Sequence, residues 1–185
     1  MPSDHLKNMP KVKQVPGLIS PRAFLEKIVV NVGVGRASQQ PNFEEKALAQ
    51  ITRDTSLLAG QKPQVRRART SIAGFKVREG QIVGLKTTLR RKKMVDFFSR
   101  LITIVLPRVR DFNGIDPQVI DRGGVLNLGL REQFVFPEIN PEESPFTFSL
   151  EVSLVPKHKR RLEAIAAYRA LGVPLKKSPE ARGKK

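Results

Sequence analysis

The stretch FTFSLEVSL, residues 146–154, alternates without a break, with Phe146, Phe148, Leu150, Val152 and Leu154 set against Thr147, Ser149, Glu151 and Ser153. Successive side chains of a strand point to opposite faces, so this pattern predicts a strand with one apolar and one polar side. A chain that carries it must build a sheet and must also supply an apolar layer to cover one face of that sheet. Two further segments make the same demand. From Glu26 onward, Ile28, Val30, Val32 and Val34 oppose Lys27, Val29, Asn31 and Gly33, and in GLKTTLR the residues Leu85, Thr87 and Leu89 oppose Lys86, Thr88 and Arg90. KPQVRRAR, VLNLGL and EQFVF are shorter strand candidates.

The covering layer is legible too. Asn42 offers an N-cap with Glu45 three positions on, and Ala47, Leu48, Ile51 and Leu58 recur at helical spacing until Gly60, which predicts a helix over about 43–59. Met94, Phe97, Phe98, Leu101, Ile102 and Val105 predict a second helix whose exit is set by Pro107, its later half weakened by the β-branched run ITIV. Leu162, Ile165 and Ala166, with Gly172 and Pro174 behind them, predict a third. Before the first strand, Pro2, Pro10, Pro16 and Pro21 argue for an extended arm over residues 1–22. Residues 23–175 are expected to form one domain, and KKSPEARGKK, residues 176–185, a basic tail. At 185 residues and 39% hydrophobic, the chain is long enough for one real core.

Charge decides the class of partner. The net charge is +17, and residues 61–100 hold twelve Lys and Arg against two carboxylates, Glu79 and Asp96. Residues 157–185 hold ten against two, whereas residues 101–156 hold four Arg against eight carboxylates. A solvated face interleaves both signs, because unbalanced repulsion costs stability, and a positive block this dense therefore points to a polyanion. No apolar run approaches the roughly 18 residues of a membrane span, and the basic residues fall on strands and loops rather than on an amphipathic helix, which argues against a membrane partner. The absence of cysteine and of a signal-peptide core gives the expectation of a soluble intracellular protein. No helix carries a DNA-reading motif, while a sheet and loop surface of Asn, Gln, Thr and Arg suits folded RNA. The loop SIAGFKVREGQ, about fourteen residues between its strands, is longer than a structural hairpin needs and presents Phe75 between small and cationic residues, an arrangement suited to packing on a sugar or base.

Catalytic and metal readings fail on spacing. Gly33-Val34-Gly35 lacks the third glycine of a dinucleotide fingerprint and reads as a tight turn. Asp111, Asp116, Asp121 and Glu132 do not have calcium-loop spacing and read as turn residues, and His5 and His158 have no nucleophile or carboxylate nearby. No catalytic residue, cofactor or metal ligand is expected.

The blocks VVNVGVGRA, LLAGQKPQVRRARTSIAGFKVREG, VGLKTTLRRKKM, FFSRLITIVLPRVRDFNG and LREQFVFPEI resemble the bacterial ribosomal protein L-five family, from about Phe24 to Leu175. The resemblance implies a two-layer α+β fold whose antiparallel sheet packs helices on one face and offers the other to 5S rRNA, in the central protuberance of the large subunit. It implies 5S rRNA contacts through Asn31, Gln61 and Thr88, with Lys27, Lys62, Arg66, Lys86 and Arg90 available for phosphates. The loop resembles the family's P-site loop, which implies a tRNA contact by Ser71, Gly74, Phe75, Lys76 and Arg78. The less basic region after Pro107 resembles the part that forms an intersubunit bridge to protein thirteen of the small-subunit head. Further implied partners are 23S rRNA and neighbouring central-protuberance proteins, in the cytoplasmic ribosome. The family's aromatic first helix is replaced here by the proline-rich arm, so contacts of that helix do not transfer. The rival readings are a non-specific RNA-binding chaperone and, on weaker grounds, an RNA-acting nuclease.

Overall fold

The computed structural model describes residues 20–35, 37–39, 43–158 and 160–176. Asn42, most of the expected arm and nearly all of the basic tail lie outside the described residues. The arm expected to be extended through residue 22 gives way earlier. Ser20 caps helix α1 (Pro21–Phe24), its hydroxyl accepting from the Ala23 N–H, and Pro21 takes the first helical position, where a missing N–H has no consequence.

Five strands form one antiparallel sheet in the order β2-β3-β1-β5-β4, with β1 Leu25–Gly33, β2 Gln64–Arg67, β3 Ile82–Leu89, β4 Leu126–Leu130 and β5 Leu150–Pro156. The expected parities hold. Ile28, Val30 and Val32 of β1, Leu85, Thr87 and Leu89 of β3, and Leu150, Val152 and Leu154 of β5 are buried in one core. The fold is α+β, with helices covering that side. Helix α2 (Leu48–Ala59) is entered through a π-helical turn, Phe43–Ala47, and ends at Gly60 with φ 64°. Helix α3 (Arg91–Arg100) continues through a π-helical turn, Leu101–Val105, into α4 (Leu106–Arg108). Pro107 therefore lies inside the last turn rather than closing the helix before it. The change of winding falls on LITIV, where β-branched side chains crowd the preceding turn.

Three expectations need correction. The strand predicted from Phe146 begins at Leu150, because the backbone of the preceding segment is held by side chains instead of a ladder: Gln133 Nε2 donates to the Phe146 carbonyl (2.9 Å) and the Phe148 N–H donates to Gln133 Oε1 (2.9 Å). For the same reason EQFVF is a 3-10 turn, Gln133–Val135, with Gln133 fully buried. Helix α5 (Arg161–Ala170) buries Ala164, Ala167 and Tyr168, while Leu162 is 81% exposed and Ala166 also faces solvent. Tyr168 rotates the helix to that face. Its hydroxyl lies 2.9 Å from the Leu154 carbonyl and 3.1 Å from that of Gly124, and its ring meets Phe24 edge-on at 5.0 Å.

Candidate nucleic-acid interface

Burying one side of each strand leaves the odd-parity side chains of β1 and β5 and the even-parity ones of β3 on the opposite face. Register then decides which of them meet. Asn31 pairs across β1 with Lys86 of β3 on one side and Glu151 of β5 on the other, Lys86 pairs onward with Gln64 of β2, and Glu151 with Gly129 of β4. One row thus reads Gln64, Lys86, Asn31, Glu151, Gly129 across the whole sheet. In the next row Thr88, Val29, Ser153 and Asn127 are neighbours. Cross-strand partners on one face lie roughly 5 Å apart, so a row of five spans about 20 Å, enough for several nucleotides.

This face is hollowed. An open depression of about 700 Å³ is lined by Asn31, Arg66, Lys86, Arg131 and Glu151 over a floor that includes Gly33, Gly84 and Gly129. Gly84 serves packing as well, since a Cβ there would stand 2.9 Å from the Val32 carbonyl oxygen. At Gly33 and Gly129 a Cβ would meet nothing within 4 Å, so those positions lie open to an approaching partner.

The candidate residues divide by what holds them. Asn31, Lys86 and Thr88 stand half-buried on the open face. Gln61 is tied to the same strand, its Nε2 donating to the Thr88 carbonyl at 3.2 Å, while Lys62 and Arg66 stand exposed along the β2 edge. Lys27 and Arg90 converge instead on Glu26, with N–O distances of 3.4 and 3.2 Å. Arg90 and Lys27 together hold the Glu26 carboxyl below the usual carboxylate value. A β-bulge between Leu25 and Lys27 places Glu26 on their side. Both cations are thus partly neutralised within the chain, which sequence spacing did not foretell.

The loop over residues 68–81 carries more internal bonding than its composition suggests. Ile72 and Val77 exchange backbone hydrogen bonds around a 3-10 turn, Ala73–Phe75, and the Ala68 N–H donates to the Gln81 carbonyl. The Ser71 hydroxyl accepts from the Glu79 N–H, so Ser71 closes the loop. Arg67 braces it through the Gly80 carbonyl (2.9 Å), and Gln81 anchors it to Ser38 (2.8 Å). Lys76, at φ 52°, turns the tip. Ser71, Gly74, Phe75, Lys76 and Arg78 are all exposed, Phe75 by 74%, and Phe75 stands on the lip of an apolar cleft of about 610 Å³ with Val77, Phe146 and Ile51 in its walls.

Further along, Arg90, Arg91, Lys92 and Lys93 lead into α3, whose first turn has no acidic residue and no side-chain cap. Four cations at the positive end of a helix dipole oppose helix formation. The expected turn residues behave as such: Asp116 accepts from the Gln118 N–H and Asp121 from the Val125 N–H. Among the described residues, no His, Cys, Asp and Glu cluster could hold a metal ion, and no helix is long and apolar enough to cross a membrane.

An antiparallel sheet covered by helices on one side, with a hollowed polar face, a cationic edge and a braced basic loop, defines a basic α+β protein. Two family models match the chain. The model "Ribosomal protein L5" matches residues 22–78, and the model of the same ribosomal family's C-terminus matches residues 82–175. The large ribosomal subunit protein uL5 of Syntrophomonas wolfei is 47% identical over 152 residues, covering 82% of this chain and 83% of its own. That of Rubrobacter xylanophilus is 45% identical over 169 residues (90% and 92%), and that of Chlorobaculum tepidum 43% over 171 (92% and 90%). The chain belongs to the ribosomal protein L5 family, a non-enzymatic family.

Proposed function

We propose that the chain holds 5S rRNA on the open face of its sheet as a structural constituent of the large ribosomal subunit. Family membership makes it a ribosomal, RNA-binding protein of translation, in bacteria part of the cytoplasmic ribosome. The observation that carries the finer reading is the row of Asn31 and Lys86 beside Thr88 and Gln61, amides and a hydroxyl for base and sugar edges flanked by Lys27, Lys62, Arg66 and Arg90 for phosphates. The braced loop with Ser71, Gly74, Phe75, Lys76 and Arg78 at its surface then contacts P-site tRNA. The less basic region after Pro107 faces the small-subunit head and its protein thirteen, and 23S rRNA and neighbouring central-protuberance proteins complete the setting.

The test compares 5S rRNA with an unrelated structured RNA of equal length at two salt concentrations. The Asn31→Ala, Thr88→Ala double variant should weaken 5S rRNA binding about tenfold with little change in salt slope, because polar base and sugar contacts carry specificity and not counterion release. Equal binding of both RNAs, indifferent to the substitutions, would leave only the chaperone reading.

A second expectation concerns Glu26. Replacing it with Gln frees Lys27 and Arg90 from their carboxylate, so the slope of log affinity against log salt should steepen by up to about two. An unchanged slope would remove both cations from the phosphate contacts.

A further inference from the structure

The cationic sheet face holds one carboxylate whose placement is out of keeping with phosphate binding. Glu151 is exposed near the start of β5, in register with Asn31 on one side and Gly129 on the other, and it lines the same depression as Arg66, Lys86 and Arg131. It makes no hydrogen bond or ion pair with another side chain among the described residues, unlike Glu26, which is engaged by two cations. Gly129 leaves its far side open, with nothing within 4 Å of where a Cβ would stand.

A carboxylate here repels phosphates and can only accept hydrogen bonds. On RNA the donors open to it are the 2′-hydroxyl and base N–H groups. Its neighbour narrows the choice. The Asn31 amide, roughly 5 Å away on the same face, can donate through its NH2. A carboxylate offers two oxygens, and only guanine sets two adjacent donors on its Watson–Crick edge, N1–H and the N2 amine, with the O6 acceptor beside them for the Asn31 amide to meet. Adenine and cytosine each set one amino donor beside a ring-nitrogen acceptor, and uracil has the single N3–H, so none of them engages both carboxylate oxygens through adjacent donors.

Resting on the 5S rRNA reading of this face, we infer that Glu151 and Asn31 together form a guanine-reading subsite, Glu151 accepting from N1–H and N2 of an unpaired guanine and Asn31 donating to O6. An edge accessible in this way belongs to a loop or bulge, where bases are splayed from the stack.

The substitution Glu151→Gln gives the inference a sign that simple electrostatics does not share. Removing a negative charge from an RNA-facing surface tightens binding to any RNA. A guanine subsite predicts the reverse for 5S rRNA alone. With the full chain, 5S rRNA and an unrelated structured RNA of equal length, Glu151→Gln should bind 5S rRNA about tenfold more weakly, the size of a good bidentate base contact, and the unrelated RNA as tightly as before or more so. Glu151→Lys should widen the gap, and unchanged melting temperatures would show both variants folded. Kethoxal, which modifies N1 and N2 of unpaired guanine, should reveal one guanine of 5S rRNA protected by the native chain and exposed with Glu151→Gln. Inosine at that position, lacking the N2 amine, should weaken the native chain and add nothing to the loss in Glu151→Gln. Tighter binding of both RNAs by both variants, or a kethoxal pattern indifferent to Glu151, overturns the inference while leaving the 5S rRNA site standing. Native protein that does not prefer 5S rRNA at all overturns the site and the inference together.

Discussion

Tyr168→Ala should destabilise the fold by about 3–5 kcal/mol, the range for removing a buried aromatic, and lower the melting temperature by roughly 10 °C. Tyr168 is fully buried, meets Phe24 edge-on, and its hydroxyl lies within hydrogen-bond reach of two carbonyls, those of Leu154 and Gly124, for its one proton. Those groups belong to β5, to the turn before β4 and to α1, so one side chain ties the C-terminal helix to the β4–β5 edge of the sheet and to the helix before β1. Gly124 allows the approach, for at φ 77° a Cβ there would stand 2.8 Å from the Ala164 Cβ. Tyr168→Phe separates the contributions. It keeps the ring and should cost only about 1–2 kcal/mol for the lost hydrogen bond. Burial also pushes the phenol pKa well above its usual value, so the folded state retains a proton that the unfolded chain releases, and stability falls as pH rises above about 10. Differential scanning calorimetry of the two variants and a pH series of the native chain read all three. A melting temperature for Tyr168→Ala within about two degrees of native would show that α5 is not held through this residue.

Tyr168 also marks where sequence reasoning stopped. Apolar spacing placed Leu162 and Ala166 inward on α5, yet the helix turns on an aromatic with a polar tip and on small alanines that fit against Gly124. Hydrophobic periodicity weighs size, whereas this contact depends on close approach and on two carbonyls distant in sequence. Gln133 is a similar case: its apolar neighbours in EQFVF suggest a strand, but its buried amide substitutes for a strand partner of residues 146–148. Strand parity, by contrast, needs only local alternation, and β1, β3 and the later part of 146–154 fell as expected. The same division governs the candidate site. Asn31, Lys86 and Thr88 were legible as the outward residues of their strands. That Asn31 sits between Lys86 and Glu151 depends on β1 pairing with both β3 and β5, a non-local register that no single strand encodes. The convergence of Lys27 and Arg90 on Glu26 depends in turn on a bulge.

The three cations opening α3 should show stability and binding moving in opposite directions. Arg91, Lys92 and Lys93 are exposed, face the positive end of the helix dipole with no acid in the first turn, and Arg91 holds φ 52°, a left-handed conformation that a non-glycine residue adopts at a cost. Among the described residues no carboxylate pairs with these three, whereas Arg90 beside them has Glu26. Replacing all three with Gln should therefore raise stability by about 1–2 kcal/mol, each charge being worth some tenths at a helix N-terminus. If the three lie on phosphates, the slope of log affinity against log salt should fall by about 2–3, which near 0.1 M salt amounts to roughly two to three orders of magnitude in affinity. The loss should be shared by 5S rRNA and unrelated RNA, unlike that at Glu151, because phosphate contacts carry no sequence information. Filter binding over a salt series with thermal melts of the same variant decides the matter. A variant that melts higher and binds as before would assign these cations to solvent.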